Sequence, residues 1–386
     1  MIYYLIPLVL LTAHYVTTLF SLRKGLLKLK PGSNKQKPKV SIIIAARNEE
    51  RHIHKCLTAI LNQTYPKNKF EIIVIDDRSE DRTAEIVKNF ADNHRQISLL
   101  QIKDSSGHLA PKKRAIDSGI RHAAGEIIVT TDADCQPGPN WLSEVVRYFD
   151  SDVGIVAGFN PYKIENSTSL FFHQMLSLDY FAMSCVAAAS AGLKYPISCT
   201  GGNFAYRKKV YEQIGGFKKI GHWISGDDDF FLEQVRENTT WKICYAAHPN
   251  TFVSTEPPEN LKTFIHQRIR YASKCRHYNT PVTVGLVGVY LLNFFILLGL
   301  FLLPFIPQLL PVCVAGFITK NLAEFTFLRR GQKIFQIQFK PYVFFLTAVL
   351  HPIYIVLVGF LGQFANFQWK GERYSAKFMD CKDFRD

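Results

Sequence analysis

The residues best placed to do chemistry in this chain are acids that come in pairs. Asp132 and Asp134 flank one alanine in TTDADC, directly after an apolar run. Two carboxylates two residues apart in a loop can both turn toward one hard cation. Oxygen ligands of that kind suit Mg²⁺ or Mn²⁺ holding phosphates, not zinc. Asp76 and Asp77 close EIIVIDD, and Arg47, Asn48 and Glu49 follow VSIIIAA. In Gly226-Asp227-Asp228-Asp229 three like charges crowd together, which should raise at least one pKa toward a range useful to a base. The same run can cap the helix FFLEQVREN, because acids favour a helix N-terminus, and capping would hold a base rigidly. Lys112, Lys113 and Arg114 open another helix, either as a solvated basic turn or as cations for a diphosphate. His52-x-His54-x-Cys56 is not read as a metal cluster, since spacing by two on a helix points side chains to different faces.

These residues need a frame that brings them together, and the apolar pattern supplies one. VSIIIAA (40–46), EIIVIDD (71–77), ISLLQI (97–102) and EIIVTTDAD (126–134) read as buried strands, separated by the helical stretches NEERHIHKCLTAILNQ, SEDRTAEIVKNFADN and PKKRAIDSGIRHAA. Fully apolar strands alternating with helices predict a mostly parallel α/β sheet with helices on both faces. Ligands of such sheets lie beyond the carboxyl ends of the strands, where the acids named above gather.

The 386 residues carry 46 Lys+Arg against 32 Asp+Glu, a net charge of +14. Their mean hydropathy of +0.01 averages two populations. Segments 1–22, 278–319 and 341–369 contain no Asp, Glu, Lys or Arg. Each is long enough to cross a bilayer, which takes about 20 apolar residues. This excludes a purely soluble enzyme. Eight scattered cysteines without paired spacing exclude a disulfide-stapled secreted domain and suit a reducing compartment.

The expected organisation is an N-terminal transmembrane anchor (1–22), a basic cytoplasmic linker (23–39) and a cytoplasmic α/β domain (40–277). A transmembrane hairpin (278–319) broken by Pro304, Pro307 and Pro311 follows, then a basic cytoplasmic loop (320–340), a transmembrane or re-entrant helix (341–369) and a tail (370–386). The basic residues cluster beside the apolar segments, so anionic membrane lipids, not nucleic acid, are the expected partner. The nearly uncharged stretch 167–196 is expected as one helix, either in the membrane interface or in the core.

Seven motifs in order carry a resemblance: SIIIAARNEE, VIDDRSED, KKRAIDSG, TTDADC, TGGNFAYRK, SGDDDFFL and QRIRY. Together they resemble glycosyltransferase family 2 over about residues 40–274, in its integral-membrane members. The resemblance implies a GT-A fold and inverting transfer from a nucleoside-diphosphate sugar, a UDP-sugar, with Mg²⁺ or Mn²⁺. It implies that Ala45, Arg47 and Glu49 lie near base and ribose, with Asp77 and its neighbour Asp76 on uridine. Lys112 would face the diphosphate, with Asp117 where the family has Asn. Asp132 and Asp134 match the DxD that holds metal and donor. Gly201, Gly202 and Asn203 match the loop that approaches the donor sugar. Asp228 matches the general base, with Asp227 in place of its neighbouring Glu. Gln267, Arg270 and Tyr271 match the Q-x-x-R-W motif of membrane synthases, with Tyr271 in place of Trp.

On this reading the acceptor is a lipid, a lipid-linked sugar or a glycan, and the chain belongs to cell-envelope glycan synthesis. Two alternatives stand beside single transfer: a processive polysaccharide synthase, and a catalytically silent membrane subunit that binds a nucleotide sugar. Retention of Asp132, Asp134 and Asp228 speaks against the second. A nucleotidyltransferase would call for a glycine-rich phosphate loop after the first strand, and AARNEE has none.

Overall fold

A computed structural model describes residues 2–104, 108–164, 170–370 and 372–375. Most of the expected tail, Cys381 and the start of the 167–196 stretch lie outside the described residues. In chain order the elements are α1 (Ile2–Leu27), β1 (Val40–Ala46), α2 (Ile53–Leu61), β2 (Phe70–Asp77), α3 (Thr83–Asn93), β3 (Ile97–Ile102), α4 (Pro111–His122) and β4 (Ile127–Asp132). Next come β5 (Gln136–Pro137), α5 (Trp141–Val146), β6 (Val153–Gly158), α6 (Leu170–Gly192), β7 (Phe204–Arg207), α7 (Lys208–Gln213), α8 (Asp229–Asn238), β8 (Lys242–Ala246) and β9 (Val253–Ser254). The chain continues through α9 (Leu261–Ser273), α10 (Thr280–Leu302), α11 (Leu310–Phe335), α12 (Pro341–Phe364), β10 (Asn366–Trp369) and β11 (Glu372–Ser375). It forms two compact units, one of residues 28–165 and 186–257, the other of 1–27, 166–185 and 258–378.

The first unit is built on a seven-stranded sheet of order β3-β2-β1-β4-β7-β6-β8. All neighbours pair in parallel except β7, which runs antiparallel to both β4 and β6. The mostly parallel α/β sheet expected from the apolar runs is therefore present. Alternate residues of β1 explain the layering. Val40, Ile42 and Ile44 share a core with Ile53, Cys56, Leu57 and Ile60 of α2 and Trp141 and Leu142 of α5. Ile43 points the other way, to α4, where a Cβ on Gly119 would stand 2.9 Å from it and 2.6 Å from Ile75. Each such Ile or Val, fully buried, contributes about 1.5–3 kcal/mol relative to exposure. The chain leaves β1 toward β2 and β3 on one side and returns on the other as β4. The carboxyl ends of β1 and β4 thus flank the switch point at which α/β sheets bind ligands.

The second unit is helical. Tyr4 and Leu8 of α1 pack with Leu292 and Ile296 of α10 and Cys313 of α11. Among the described residues five helices, over 3–27, 171–192, 280–302, 307–335 and 341–364, are long and apolar enough to cross a membrane. Here the structure departs from the expected layout. Helix α11 does not stop near Thr319 but runs to Phe335, so the expected loop at 320–340 is largely helical. The reason is internal neutralisation. Lys320, 0% exposed, sits 2.8 Å from Glu324 one turn on, and Tyr15 of α1 donates to Glu324 at 2.6 Å. A charge that finds its partner inside the bundle does not have to mark the end of an apolar helix.

Candidate active site

Strand β1 ends in a tight structure that the sequence places next to the end of β2. Asn48 takes a left-handed φ of 54°, donates its N–H to Ser79 Oγ at 2.9 Å and accepts from Glu80 N at 2.8 Å. The buried Glu49 donates its backbone N–H to Thr83 Oγ1 at 2.7 Å, and Glu50 N donates to Asp81 Oδ2 at 3.0 Å. Thr83 and the backbone amides at 50 and 83 outweigh burial and hold Asp81 below its ordinary carboxylate value. Ala45 and Asp132 are partners in the β1–β4 register, and Ala46 and Asp76 in the β1–β2 register. The two acids that end β2 differ. Asp77 is ion-paired to Arg114 at 3.2 Å and Arg78 at 3.0 Å. Asp76 is buried, and its Oδ1 has no hydrogen-bond partner among the described residues. Of the pair expected to meet a nucleoside, Asp76 is the one with an oxygen to spare.

At the end of β4, Asp132, Asp134 and Cys135 offer ligand atoms that all lie within 4.8 Å of one another. Two carboxylates within that span fit a hard divalent ion whose other positions go to phosphate oxygens and water. Cys135 is a poor third ligand for such an ion, because burial, then Asp134 and Asp132, push its thiol up and keep it protonated. Lys112 Nζ stands 2.8 Å from Asp132 Oδ1 and 3.3 Å from Asp227 Oδ2. Burial opposes charge on this lysine, but Asp132, Asp227 and Asp228 outweigh it and hold its pKa above the ordinary value. Without donor or metal, Lys112 is the cation of the acidic cluster.

The turn Gly201–Asn203 lies beyond the carboxyl end of β4, because β7 pairs antiparallel with that strand. Thr130 and Thr131 draw it in, donating hydroxyls to the carbonyls of Gly201 at 3.0 Å and Gly202 at 2.9 Å. The glycines are required by close approach. A Cβ on Gly201 would meet Asp227 Oδ2 at 3.2 Å and Lys112 Nζ at 3.3 Å; one on Gly202 would meet Asn160 Nδ2 at 2.8 Å and Asp132 Oδ2 at 3.1 Å. Asn203 does not face the cluster with free groups. It accepts from Trp141 Nε1 at 3.0 Å and donates to the carbonyls of Phe159 and Thr251, so it positions the turn.

The three acids of the GDDD run have three separate tasks. Asp227 pairs with Lys112. Asp228 caps α8, taking Asp229 N–H on Oδ1 at 2.8 Å and Gly201 N–H on Oδ2 at 2.7 Å. Asp229 is buried and accepts from Ser198 Oγ and Cys199 N, both at 3.0 Å. The expected upward pKa does not occur at Asp227. Burial raises it, but Lys112 and Lys113 outweigh burial and hold it below the ordinary value.

The structure thus brings Lys112, Asp132, Asp134, Gly201, Gly202, Asp227 and Asp228 together, with Ala45, Arg47, Glu49, Asp76 and Asp77 at the neighbouring strand ends. Gln267, Arg270 and Tyr271 belong to the helical unit. There the Arg270 guanidinium lies over the rings of Tyr271 at 5.0 Å and Trp369 at 5.3 Å. The three cations of α4, whose solvated or functional character the sequence leaves open, all have partners. Lys112 and Arg114 bind carboxylates, and Lys113 is buried on backbone carbonyls. Asn160 is a site residue that sequence reasoning does not single out, since it lies in no motif of its own.

Comparison with known proteins agrees with this geometry. Residues 41–215 match the family model for glycosyl transferase family 2. The probable glycosyltransferase YdaM of Bacillus subtilis is 28% identical over 62% of this chain and 55% of its own length, so the chain spans little more than half of that relative. A poly-beta-1,6-N-acetyl-D-glucosamine synthase of Staphylococcus epidermidis is 25% identical over 80% of this chain and 72% of its own. A Pyrobaculum calidifontis mannosyltransferase, solved in complex with GDP-Man and Mn²⁺, superposes with a TM-score of 0.60 at 21% identity. It covers 92% of this chain and 99% of its own, a likeness of fold. Residues 41–215, which carry the acids at the switch point of the sheet, thus match the glycosyl transferase family 2 model, and the fold is that of a solved GT-A mannosyltransferase.

Proposed function

We propose that the chain is a membrane-embedded inverting glycosyltransferase. It moves a sugar from a nucleoside-diphosphate sugar, a UDP-sugar first among them, to a lipid, lipid-linked or glycan acceptor. The observation that carries this reading is the convergence of Lys112, Asp132, Asp227 and Asp228 around Gly201. A cation, a metal-type carboxylate and an oriented carboxylate meet where only a glycine backbone fits.

In the reaction the acceptor hydroxyl oxygen attacks the anomeric carbon from the face opposite the diphosphate. The carbon–oxygen bond to phosphate breaks, and its electron pair leaves with the diphosphate. Asp228 takes the hydroxyl proton. Its two oxygens are oriented by the Gly201 and Asp229 amides, and a carboxylate with about four lone-pair sites keeps acceptor capacity after those two bonds. Lys112 stays charged and stands over the negative charge that develops on the leaving group. A divalent Mg²⁺ or Mn²⁺, held by Asp132 and Asp134, supplies further electrostatic stabilisation of the diphosphate. Asp76 and Asp77, with Ala45, Arg47 and Glu49, line the nucleoside end. Gln267, Arg270 and Tyr271 serve acceptor and diphosphate.

In this reading the long apolar helices anchor the protein in the membrane, and the positive-inside rule, applied to the basic residues at 23–39, supports a cytoplasmic α/β unit.

The test is nucleotide release by the detergent-solubilised protein over a panel of UDP- and GDP-sugars with Mn²⁺. One donor should support release, and Asp228→Asn should lower it about 10²–10⁴-fold, with Asp134→Ala also inactive. Full activity in Asp228→Asn would overturn the assignment of the base. A second reading, processive polysaccharide synthesis, is favoured by the likeness to the poly-N-acetylglucosamine synthase. Product length separates the two, since a synthase yields polymer and a single-transfer enzyme yields one added sugar per acceptor.

A further inference from the structure

Lys113 is 0% exposed, although it neighbours the diphosphate-facing Lys112 on the first turn of α4. Its Nζ donates to the carbonyls of Trp223 at 2.6 Å and Ser225 at 2.8 Å. These are two of four contacts at alternate residues of one segment. Ala110 N donates to Gly221 O at 2.6 Å, Lys113 takes 223 and 225, and Lys112 reaches Asp227 at 3.3 Å. Residues 221, 223, 225 and 227 therefore all meet the start of α4. Directly after Ser225 the chain turns through Gly226, at φ 82°, where a Cβ would collide with Phe230. Asp227 and Asp228 follow. An ammonium removed from water is expensive even when hydrogen-bonded, and plain packing would not call for one here. Its place makes sense if the loop must sit at one fixed distance from the donor side of the sheet.

We propose that Lys113 is the positioning residue of the general base: by clamping the Trp223 and Ser225 carbonyls to α4 it sets where Asp228 presents its carboxylate. Lys112 and Lys113 then divide one helical turn between donor and base, and α4 ties the two halves of the reaction together. The inference rests on Asp228 being the base.

The test uses the full-length protein in detergent, with Lys113→Met and Lys113→Arg. Three quantities are measured: kcat for nucleotide release, affinity for UDP or GDP with Mn²⁺, and hydrogen–deuterium exchange of peptides covering 217–232. Lys113→Met should lose about 10²-fold in kcat, the scale of an ångström of misplacement, with nucleotide affinity within two-fold of wild type. Exchange should rise in 217–232 while β1–β4 stay protected, and Lys113→Arg should recover most of the loss. Unchanged kcat in Lys113→Met, or a loss shared equally by nucleotide binding and the whole exchange map, would overturn the inference. If the wild type releases no nucleotide, the base assignment fails by itself. The exchange data still judge the clamp, because unchanged exchange at 217–232 in Lys113→Met sinks it.

Discussion

Lys112→Met should have opposite effects on two ligands, and that contrast makes it the most informative single change. In the ligand-free protein Lys112 occupies the acidic cluster that a divalent ion must enter. Its 2.8 Å separation from Asp132 corresponds to a Coulomb attraction of about 1.5 kcal/mol at the dielectric of water and about 6 kcal/mol at an effective value of 20. Asp132 is 39% exposed, so solvent screening keeps the net near the aqueous end, at about 1–2 kcal/mol. Removing the ammonium frees Asp132 and leaves Asp227 without its ion pair. Bare Mn²⁺ should then bind about 5–30-fold more tightly, the equivalent of 1–2 kcal/mol. UDP or GDP in the presence of Mn²⁺ should bind more weakly, because the diphosphate loses a charged donor. Titration of the free Mn²⁺ signal by electron paramagnetic resonance, without nucleotide and then with it, reads both. The Mn²⁺ gain should shrink at high salt as exposed charges are screened. Mn²⁺ affinity that stays equal or falls would refute the view of Lys112 as the cluster's own cation. If both ligands bind more tightly, Lys112 does not face the diphosphate.

Two further outcomes follow from packing. Gly202→Ala places a methyl 2.8 Å from the buried Asn160 amide and 3.1 Å from Asp132, so one of them must shift. Overpacking of that kind typically destabilises by about 1–3 kcal/mol, and turnover should fall more than the melting temperature implies; a fully active variant would mean the turn is not part of the site. In the helical unit, Lys320→Met leaves the largely buried Glu324 without its paired ammonium, which should destabilise the solubilised protein by about 3–5 kcal/mol. The double variant Lys320→Met/Glu324→Gln should recover most of that loss in a thermal-stability assay, and no recovery would argue against the pair as the cause.

What the sequence reveals divides along a physical line. Strands β1 to β4 are legible because each is a run of β-branched and apolar residues, and the acids at their ends are legible because they close such runs. Strand β7 is harder to read: FAYR is four residues long and carries Arg207, which is buried on the Val153 and Asp150 carbonyls. Its antiparallel direction depends on the turn at Gly201, which no local pattern encodes. Lys320 misleads for the opposite reason. A charge in an apolar segment reads as a boundary, and only the partner at 324, with Tyr15 about three hundred residues away in sequence, shows that the helix continues.

The same reasoning separates Lys112 from Lys113. By type and position the two are equivalent, adjacent cations on the first turn of one helix, and sequence alone offers both the same choice of solvated turn or phosphate ligand. Helical geometry places consecutive residues about 100° apart. One ammonium therefore reaches the carboxylates of Asp132 and Asp227 while the other is turned into the protein, toward a loop 110 residues further along. The carboxylate partner makes Lys112 responsive, since it can pass from Asp132 to a diphosphate when donor arrives. The carbonyl partners hold Lys113 in place, since two backbone acceptors inside the fold fix its ammonium. On the proposed mechanism a transferase needs both behaviours side by side, one cation that moves with the donor and one that holds the base still, and α4 would supply them on a single turn.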